Sequence, residues 1–258
     1  MRLINKYKPG KYFKIFPVLV CVFLLTCGIE DYPYIYPIPT GNITQLMNSR
    51  VRILIPNSNL GSMYFTNFTI FYRIYMSDIY EPSPSESNLN TINSVLNSDH
   101  SRVSPYIGND SMGSSSIASL FNGMKYYTLE LEEANIDNVL STASFNRELI
   151  IDFSQTPGSI PTLTLGSSQY RLYRSDGGGS FELLPENRYF MNSPELRNQS
   201  NIDDPHINAD VTDKLNTVDK RYSYISMYIV AIGFDPQTYI QLYSSPAYAG
   251  VLCLPNTN

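Results

Sequence analysis

Tryptophan is absent from this chain of 258 residues, histidine occurs twice, cysteine three times, and charged residues make up only 16%. Two histidines leave little imidazole for acid–base chemistry near neutral pH. Both stand in polar stretches that read as loops, His100 in Asn97-Ser98-Asp99-His100-Ser101 and His206 in Asp204-Pro205-His206. Cys21, Cys27 and Cys253 are too few for a disulfide framework. Bases are scarce beyond the first 14 residues: Arg2, Lys6, Lys8, Lys11 and Lys14 take five of the 18, and no acid precedes Glu30. Setting those five aside leaves 13 bases against 23 acids. A surface so acidic repels phosphate backbones, so no nucleic-acid partner is expected. No G-x-S-x-G elbow, H-E-x-x-H helix, G-x-G-x-x-G turn or Walker loop occurs. No catalytic, metal-binding or cofactor-binding residue is therefore assigned, and the chain is expected not to be an enzyme.

What is present is core material, with 43% hydrophobic residues, 21 Tyr and 12 Phe, enough for one large domain or two small ones. The N-terminus reads as an address. After the basic residues 1–14, Ile15–Leu25 (IFPVLVCVFLL) is continuously apolar and Thr26-Cys27-Gly28 follows, the order of an export signal. Eleven residues broken by Pro17 reach only about half of the ~30 Å hydrocarbon thickness, too short for a stable span.

Leu24-Leu25-Thr26-Cys27 resembles the lipobox of bacterial lipoproteins, with Leu24 at the preferred leucine position. Thr26 departs from the usual Gly, Ala or Ser, a substitution that spirochaete-type lipoproteins tolerate. The resemblance implies that residues 1–26 are a signal peptide and that Cys27 receives a diacylglyceryl group on sulfur, its new amine being acylated. The chain would then be exported and held on a bacterial membrane, the outer membrane being the expected one, with its surface and periplasmic faces both open. At about 0.8 kcal/mol per buried CH₂, two or three acyl chains make such attachment effectively permanent. The alternative is an ordinary secretory signal with Cys27 at the junction by chance. Residues 27–42, which include Asp31-Tyr32-Pro33-Tyr34-Ile35-Tyr36-Pro37-Ile38-Pro39, read as a semi-rigid polyproline-like tether. A peptide ligand for an aromatic groove is the other reading of that stretch.

From residue 43 to 258 strand signals dominate. β-Branched and aromatic runs occur at Val51–Ile55, Phe65–Tyr75, Tyr126–Glu132, Glu148–Phe153, Thr162–Leu165, Gln169–Arg174, Phe181–Leu184, Tyr222–Ile232 and Ala247–Leu254. Asp176-Gly177-Gly178-Gly179 reads as a hairpin turn. Cys253 lies in one of the apolar runs and is expected to act as a small buried hydrophobe. Helical spacing is confined to residues 85–123: Leu89, Ile92 and Leu96 after Ser85 and Ser87 as caps, then Ile117, Leu120 and Phe121 with Gly123 as a stop. The Ser/Asn/Pro-rich segment from Glu81 to Met112 reads as a surface excursion. The pattern predicts an all-β protein, an antiparallel sandwich with one or two short helices inserted.

Tyr72-Arg73-Ile74-Tyr75-Met76-Ser77-Asp78 returns as Tyr170-Arg171-Leu172-Tyr173-Arg174-Ser175-Asp176, five of seven residues being identical 98 positions later. The echo hints at two stacked units or a duplicated strand pair. Gln169–Leu184 resembles the central hairpin of a fibronectin type III module, and Tyr228–Gly233 with Ser244–Ala247 is similar to its last two strands. The resemblance implies an immunoglobulin-like two-sheet sandwich, although the family's buried Trp is missing and Tyr224 stands one residue from the corner-tyrosine spacing.

Three further features were weighed for chemistry. Glu130, Glu132 and Glu133 follow one another, and a carboxylate pair suffices for glycoside hydrolysis, but alternation puts Glu130 and Glu132 on one solvated strand face. Asn201–Asp213 is rich in Asp and Asn and offers oxygens for Ca²⁺, although its spacing matches neither an EF-hand nor a glycine-repeat calcium loop and solvated turns use the same residues. Tyrosines supply either packing or rigid binding surface. The function expected is that of a lipid-anchored envelope module binding protein or glycan. A carboxylate-dependent glycan hydrolase and a periplasmic assembly factor are the alternatives.

Overall fold

The structure is a computed structural model that describes residues 34–47, 49–56, 63–108, 114–131, 148–153, 161–175, 210–212 and 222–255. The signal segment, Cys27, His206, Glu132, Glu133, the Asp176–Gly179 turn, the Phe181–Leu184 run and most of Asn201–Asp213 lie outside the described residues.

Runs with alternating apolar residues make the first sheet. Its strands are β1 (Ile43–Met47), β2 (Arg50–Leu54), β6 (Glu148–Asp152), β7 (Thr162–Leu165), β8 (Ser168–Tyr173) and β5 (Glu130–Leu131), hydrogen-bonded in that order and all antiparallel. Period-2 geometry sends Val51, Ile53, Leu149, Ile151, Leu163, Leu165, Leu172 and Leu131 inward. The outer face carries Arg50–Asp152 and Arg52–Glu148 ion pairs, each at 3.0 Å. Half-exposed as they are, such pairs add little to stability.

The second sheet is built on two long strands, β3 (Phe65–Ser77) and β10 (Tyr222–Asp235), antiparallel from Tyr222↔Ser77 to Gly233↔Phe65. The far edge of β10 pairs with β11 (Ile240–Tyr243) and then β12 (Ala247–Pro255). The far edge of β3 holds β4 (Tyr127–Thr128) and a short parallel strand, β9 (Val211–Thr212). A bulge in β12 opposite Met227 and Tyr228, with Gly250 at φ +99°, switches which of its residues face the core. Ala247 and Ala249 point inward before it, Leu252 and Leu254 after it.

Both faces of β3 and β10 are buried. Phe68, Ile70, Tyr72, Ile74 and Met76 join Ile225, Met227, Ile229 and Ala231 in the core between the sheets. Each fully buried Leu, Ile or Phe there contributes about 2 kcal/mol relative to leaving it exposed. The alternate residues Phe71, Tyr75, Tyr224, Tyr228 and Val230 point the other way, beneath a helical layer. The protein is thus an antiparallel β-sandwich with short inserted helices, as expected, and the helices cover one outer face.

Three helices form that layer: α1 (Leu89–Ile92), α2 (Ser94–Val103) and α3 (Ser114–Gly123). The first helical pattern splits in two because Asn93 leaves helical geometry at φ −162°, ψ 125°. Its Oδ1 accepts the Val95 and Leu96 amides at 2.8 and 3.0 Å, and its Nδ2 donates to the Met76 carbonyl at 3.0 Å, pinning α2 to β3. Ser85 and Ser87 do not cap; their hydroxyls lie 2.9 Å apart and bond each other. The described part of the Glu81–Met112 segment is also no mere surface excursion. Leu89, Ile92, Leu96 and Val103 from it are buried against the sheet.

Two more expectations are corrected. The run Tyr126–Glu132 is not one strand: at Leu129, whose amide bonds the Ile70 carbonyl at 2.8 Å, the chain passes from β4 in the second sheet to β5 in the first. The stretch taken as tether to residue 42 joins the folded unit at Ile35, because Ile35 and Ile38 are buried in the core. A Cβ at Gly233 would collide with Ile35 Cδ1 and lie 2.5 Å from the Tyr64 carbonyl oxygen, so that junction closes only over glycine.

Candidate functional site

Among the described residues, three ionic or aromatic clusters lie inside the body. On the helix side of β3, Arg73 donates to Thr212 Oγ1 at 2.6 Å, to Asp99 Oδ2 at 2.7 Å, and to the Met124 carbonyl. Tyr75 donates to the same Asp99 oxygen at 2.7 Å, and its hydroxyl lies 3.1 Å from that of Tyr126, which is 3.1 Å from Ser226 Oγ. Burial pushes the Tyr126 phenol up to about 12 and raises those of Tyr75 and Tyr228 as well, so all three stay protonated.

His100 sits on α2, not in a loop. Its buried ring has Nδ1 2.8 Å from the Tyr228 hydroxyl, lies 4.6 Å from the Tyr248 ring centre, and has Nε2 3.8 Å from Glu86. Burial lowers its pKa below 6.5, with Glu86 opposing. Between the sheets, Arg174 and Asp210 form a wholly enclosed ion pair to which Tyr72 donates at 2.7 Å. Asp210 belongs to the Asp/Asn-rich stretch weighed for Ca²⁺, and its carboxylate is spent on Arg174 and Tyr72 rather than offered to solvent. Among the described residues no group of three or more His, Cys, Asp or Glu is placed to hold a metal ion. Cys253 is buried, as expected, and burial raises its thiol pKa.

Polar and aromatic groups open to solvent meet on the loop that leaves β3. Tyr80 is 51% exposed and its ring leans on Tyr222 at 5.1 Å, beside exposed Ile79. The loop backbone is pinned from below. Tyr224, buried in the sheet, donates to the Ile79 carbonyl at 2.5 Å and accepts the Glu81 amide at 2.8 Å. Ser77 Oγ accepts the Ile79 amide at 3.1 Å and donates to the Ile92 carbonyl at 2.6 Å, tying the loop to α1. Glu81 Oε1 accepts the Ser83 amide at 3.1 Å, and Asp78 is exposed beside them. An aromatic face with flanking carboxylates on a fixed backbone is a surface on which a sugar ring or an apolar side chain can rest, with hydroxyls or amines bonding the acids.

Tyr224, which stands one residue away from corner-tyrosine spacing in the sequence, uses its hydroxyl to hold backbone of the loop after β3. Arg73, Asp99 and Arg174 were not read as partners. The only sign of them was the heptapeptide echo, which contains both arginines. The echo halves fall in different sheets, β3 and β8, but keep one phase, Ile74 and Leu172 both facing the shared core. Glu130 is half-buried on β5, and Glu132 and Glu133, weighed with it, lie outside the described residues. Among the described residues no helix is long and apolar enough to cross a membrane. No protein-family profile, curated protein or solved structure matches this chain.

Proposed function

We propose that the chain is exported, held on a bacterial envelope membrane through a lipidated Cys27, and acts by binding a protein or glycan rather than by catalysis. The lipobox-like Leu24–Cys27 behind a basic and then apolar leader supports the anchor. The observation that carries the binding reading is Tyr80, half-exposed on a loop whose backbone Tyr224 and Ser77 hold in place. An aromatic presented this way loses little conformational freedom on contact, which favours recognition. The buried clusters support the same reading, since Arg73, Asp99, Arg174 and Asp210 are engaged with one another and are closed to a substrate.

The test is a glycan and peptide array probed with the detergent-purified full chain and with its Tyr80→Ala variant, beside a glycan-hydrolase substrate panel. Capture of a ligand by the parent and its loss in the variant, with unchanged melting, is the expected result. Turnover on the panel that a single Glu or Asp substitution abolishes would replace this reading by the hydrolase alternative.

A further inference from the structure

Large apolar side chains stand exposed at the other end of β10 as well. Phe234 is 40%, Tyr239 81% and Ile240 54% exposed, all at the hairpin joining β10 to β11. The Phe234 and Tyr239 rings meet edge to face at 6.2 Å. Met63, 83% exposed, precedes Tyr64, whose carbonyl accepts the Phe234 amide at 2.8 Å. Single exposed apolar residues need no explanation, but four on one corner do.

Charge is sparse in the described segments that form the same corner. Residues 35–47 and 63–72 carry none, and from 222 to 255 Asp235 stands alone. That carboxylate is turned into its own hairpin, where it accepts the Gln237 amide at 2.9 Å and the Thr238 hydroxyl at 2.5 Å. In a chain with 23 acids, these segments hold one carboxylate, turned into its own hairpin, so they repel an anionic lipid surface less than the acid-rich remainder does.

The hairpin also holds its aromatic against local preference. Tyr239 has φ +58°, a conformation that suits Gly or Asn and costs another residue about 1 kcal/mol. Finally, this is where the chain joins the body, since Ile35 packs against Gly233. Cys27 lies only eight residues before Ile35 in the sequence, a contour of at most about 28 Å at about 3.5 Å per residue.

We propose that the corner formed by Met63, Phe234, Tyr239 and Ile240 rests in the headgroup layer of the membrane on which the chain is anchored. The proposal rests on the lipid-anchor reading and adds to it a second contact that sets orientation. Tyr favours the membrane–water interface, where its ring is partly dry and its hydroxyl wet, and Phe adds an apolar contact at the acyl boundary. A contact too weak to hold a free protein suffices here, because the anchor makes it intramolecular. With the corner down, the Tyr80 loop faces away from the bilayer. It sits beside Tyr222, and the 14 residues of β10 place it about 40 Å from the hairpin.

Because the chain has no tryptophan, Tyr239→Trp and, separately, Tyr80→Trp each introduce a sole indole at an exposed position. Both full-length lipidated chains are reconstituted into phosphatidylcholine–phosphatidylglycerol vesicles, with and without brominated acyl chains. The expected result is a blue-shifted emission for Tyr239→Trp that loses intensity on brominated lipid, and neither change for Tyr80→Trp. Water-like emission from both variants on sedimenting vesicles overturns the proposal and leaves the anchor standing. A blue shift that bromine does not quench marks burial against another protein and overturns it too. Mass spectrometry of the N-terminal fragment separates the remaining failure: an unmodified Cys27 thiol on chains that do not sediment removes the anchor reading and this proposal together.

Discussion

The guanidinium of Arg174 is fully buried against the carboxylate of Asp210, with Nε 2.8 Å from Oδ2, although 36 residues separate the two in sequence. The pair lies beside the inter-sheet core, where Tyr72 donates to the same carboxylate oxygen and itself accepts the Ser175 amide at 2.8 Å. Burial alone would lower the Arg174 pKa. The Asp210 charge and hydrogen bonds outweigh it and hold the group above its ordinary value. Arg174 stands at the echo position of Met76, so where one half of the repeat supplies an apolar core residue, the other requires an anion.

Asp210→Asn leaves that guanidinium without a counter-charge in a dry site. The expected loss is about 3–5 kcal/mol of folding stability, read by urea denaturation. Arg174→Met with Asp210→Leu should recover most of it, since replacing both partners by apolar groups leaves no charge stranded. A single variant as stable as the parent would show that water reaches the pair.

Tyr224→Phe removes the hydroxyl that serves both the Ile79 carbonyl and the Glu81 amide. The expected cost is about 1 kcal/mol. Hydrogen exchange should quicken at Glu81 while amides in the middle of β10 stay protected, because the loop loses its pin and the sheet does not.

Gly233→Ala drives a methyl into Ile35 and toward the Tyr64 carbonyl oxygen. Backbone cannot yield as a flexible side chain can, so a loss of about 1–3 kcal/mol is expected. The Gly233→Ala, Ile35→Ala double variant should recover only part of it, because the Tyr64 oxygen remains. Equal melting temperatures for parent and Gly233→Ala would contradict the packing.

His100 gives the protein a pH response of definite sign. Burial lowers its folded pKa below the ordinary 6.5, with Glu86 opposing. Above pH 6.5 the ring is neutral in both states and the contribution is flat. As pH falls below that value the unfolded chain takes up a proton that the folded chain resists, so stability declines until the folded pKa is reached. His100→Gln should flatten that slope in denaturation curves collected across the window, whereas an unchanged slope would assign it to other groups.

Tyr239→Asn relieves a positive φ without touching the core. Stability should rise by about 1 kcal/mol. The same change should weaken the orientation on vesicles, so that gain and loss are measured in one variant.

The alternating run Thr162–Leu165 and the β-branched and aromatic run Tyr222–Ile232 announced strands in the sequence, and the i, i+3, i+7 spacing of Leu89, Ile92 and Leu96 announced helix, because local geometry sets what each element accommodates. The strands β1 (ITQLM) and β11 (IQLY) escaped, each being short and interrupted by Gln. His100 and Asp99 looked like loop polarity, because only the sheet packed under α2 reveals that they face inward. The Tyr80 loop was equally hidden: the pin that fixes it comes from Tyr224, 145 residues away from the Ile79 carbonyl it bonds.

By itself the sequence determined the class of fold, which is written in the hydrophobic pattern along the chain. Only the tertiary structure decided that β3 and β10 are buried on both faces, that Ile35 and Ile38 belong to the body, and that Arg174 meets Asp210. The reason is physical: a strand's alternation says that its two faces differ, but what covers each face depends on segments scores of residues away.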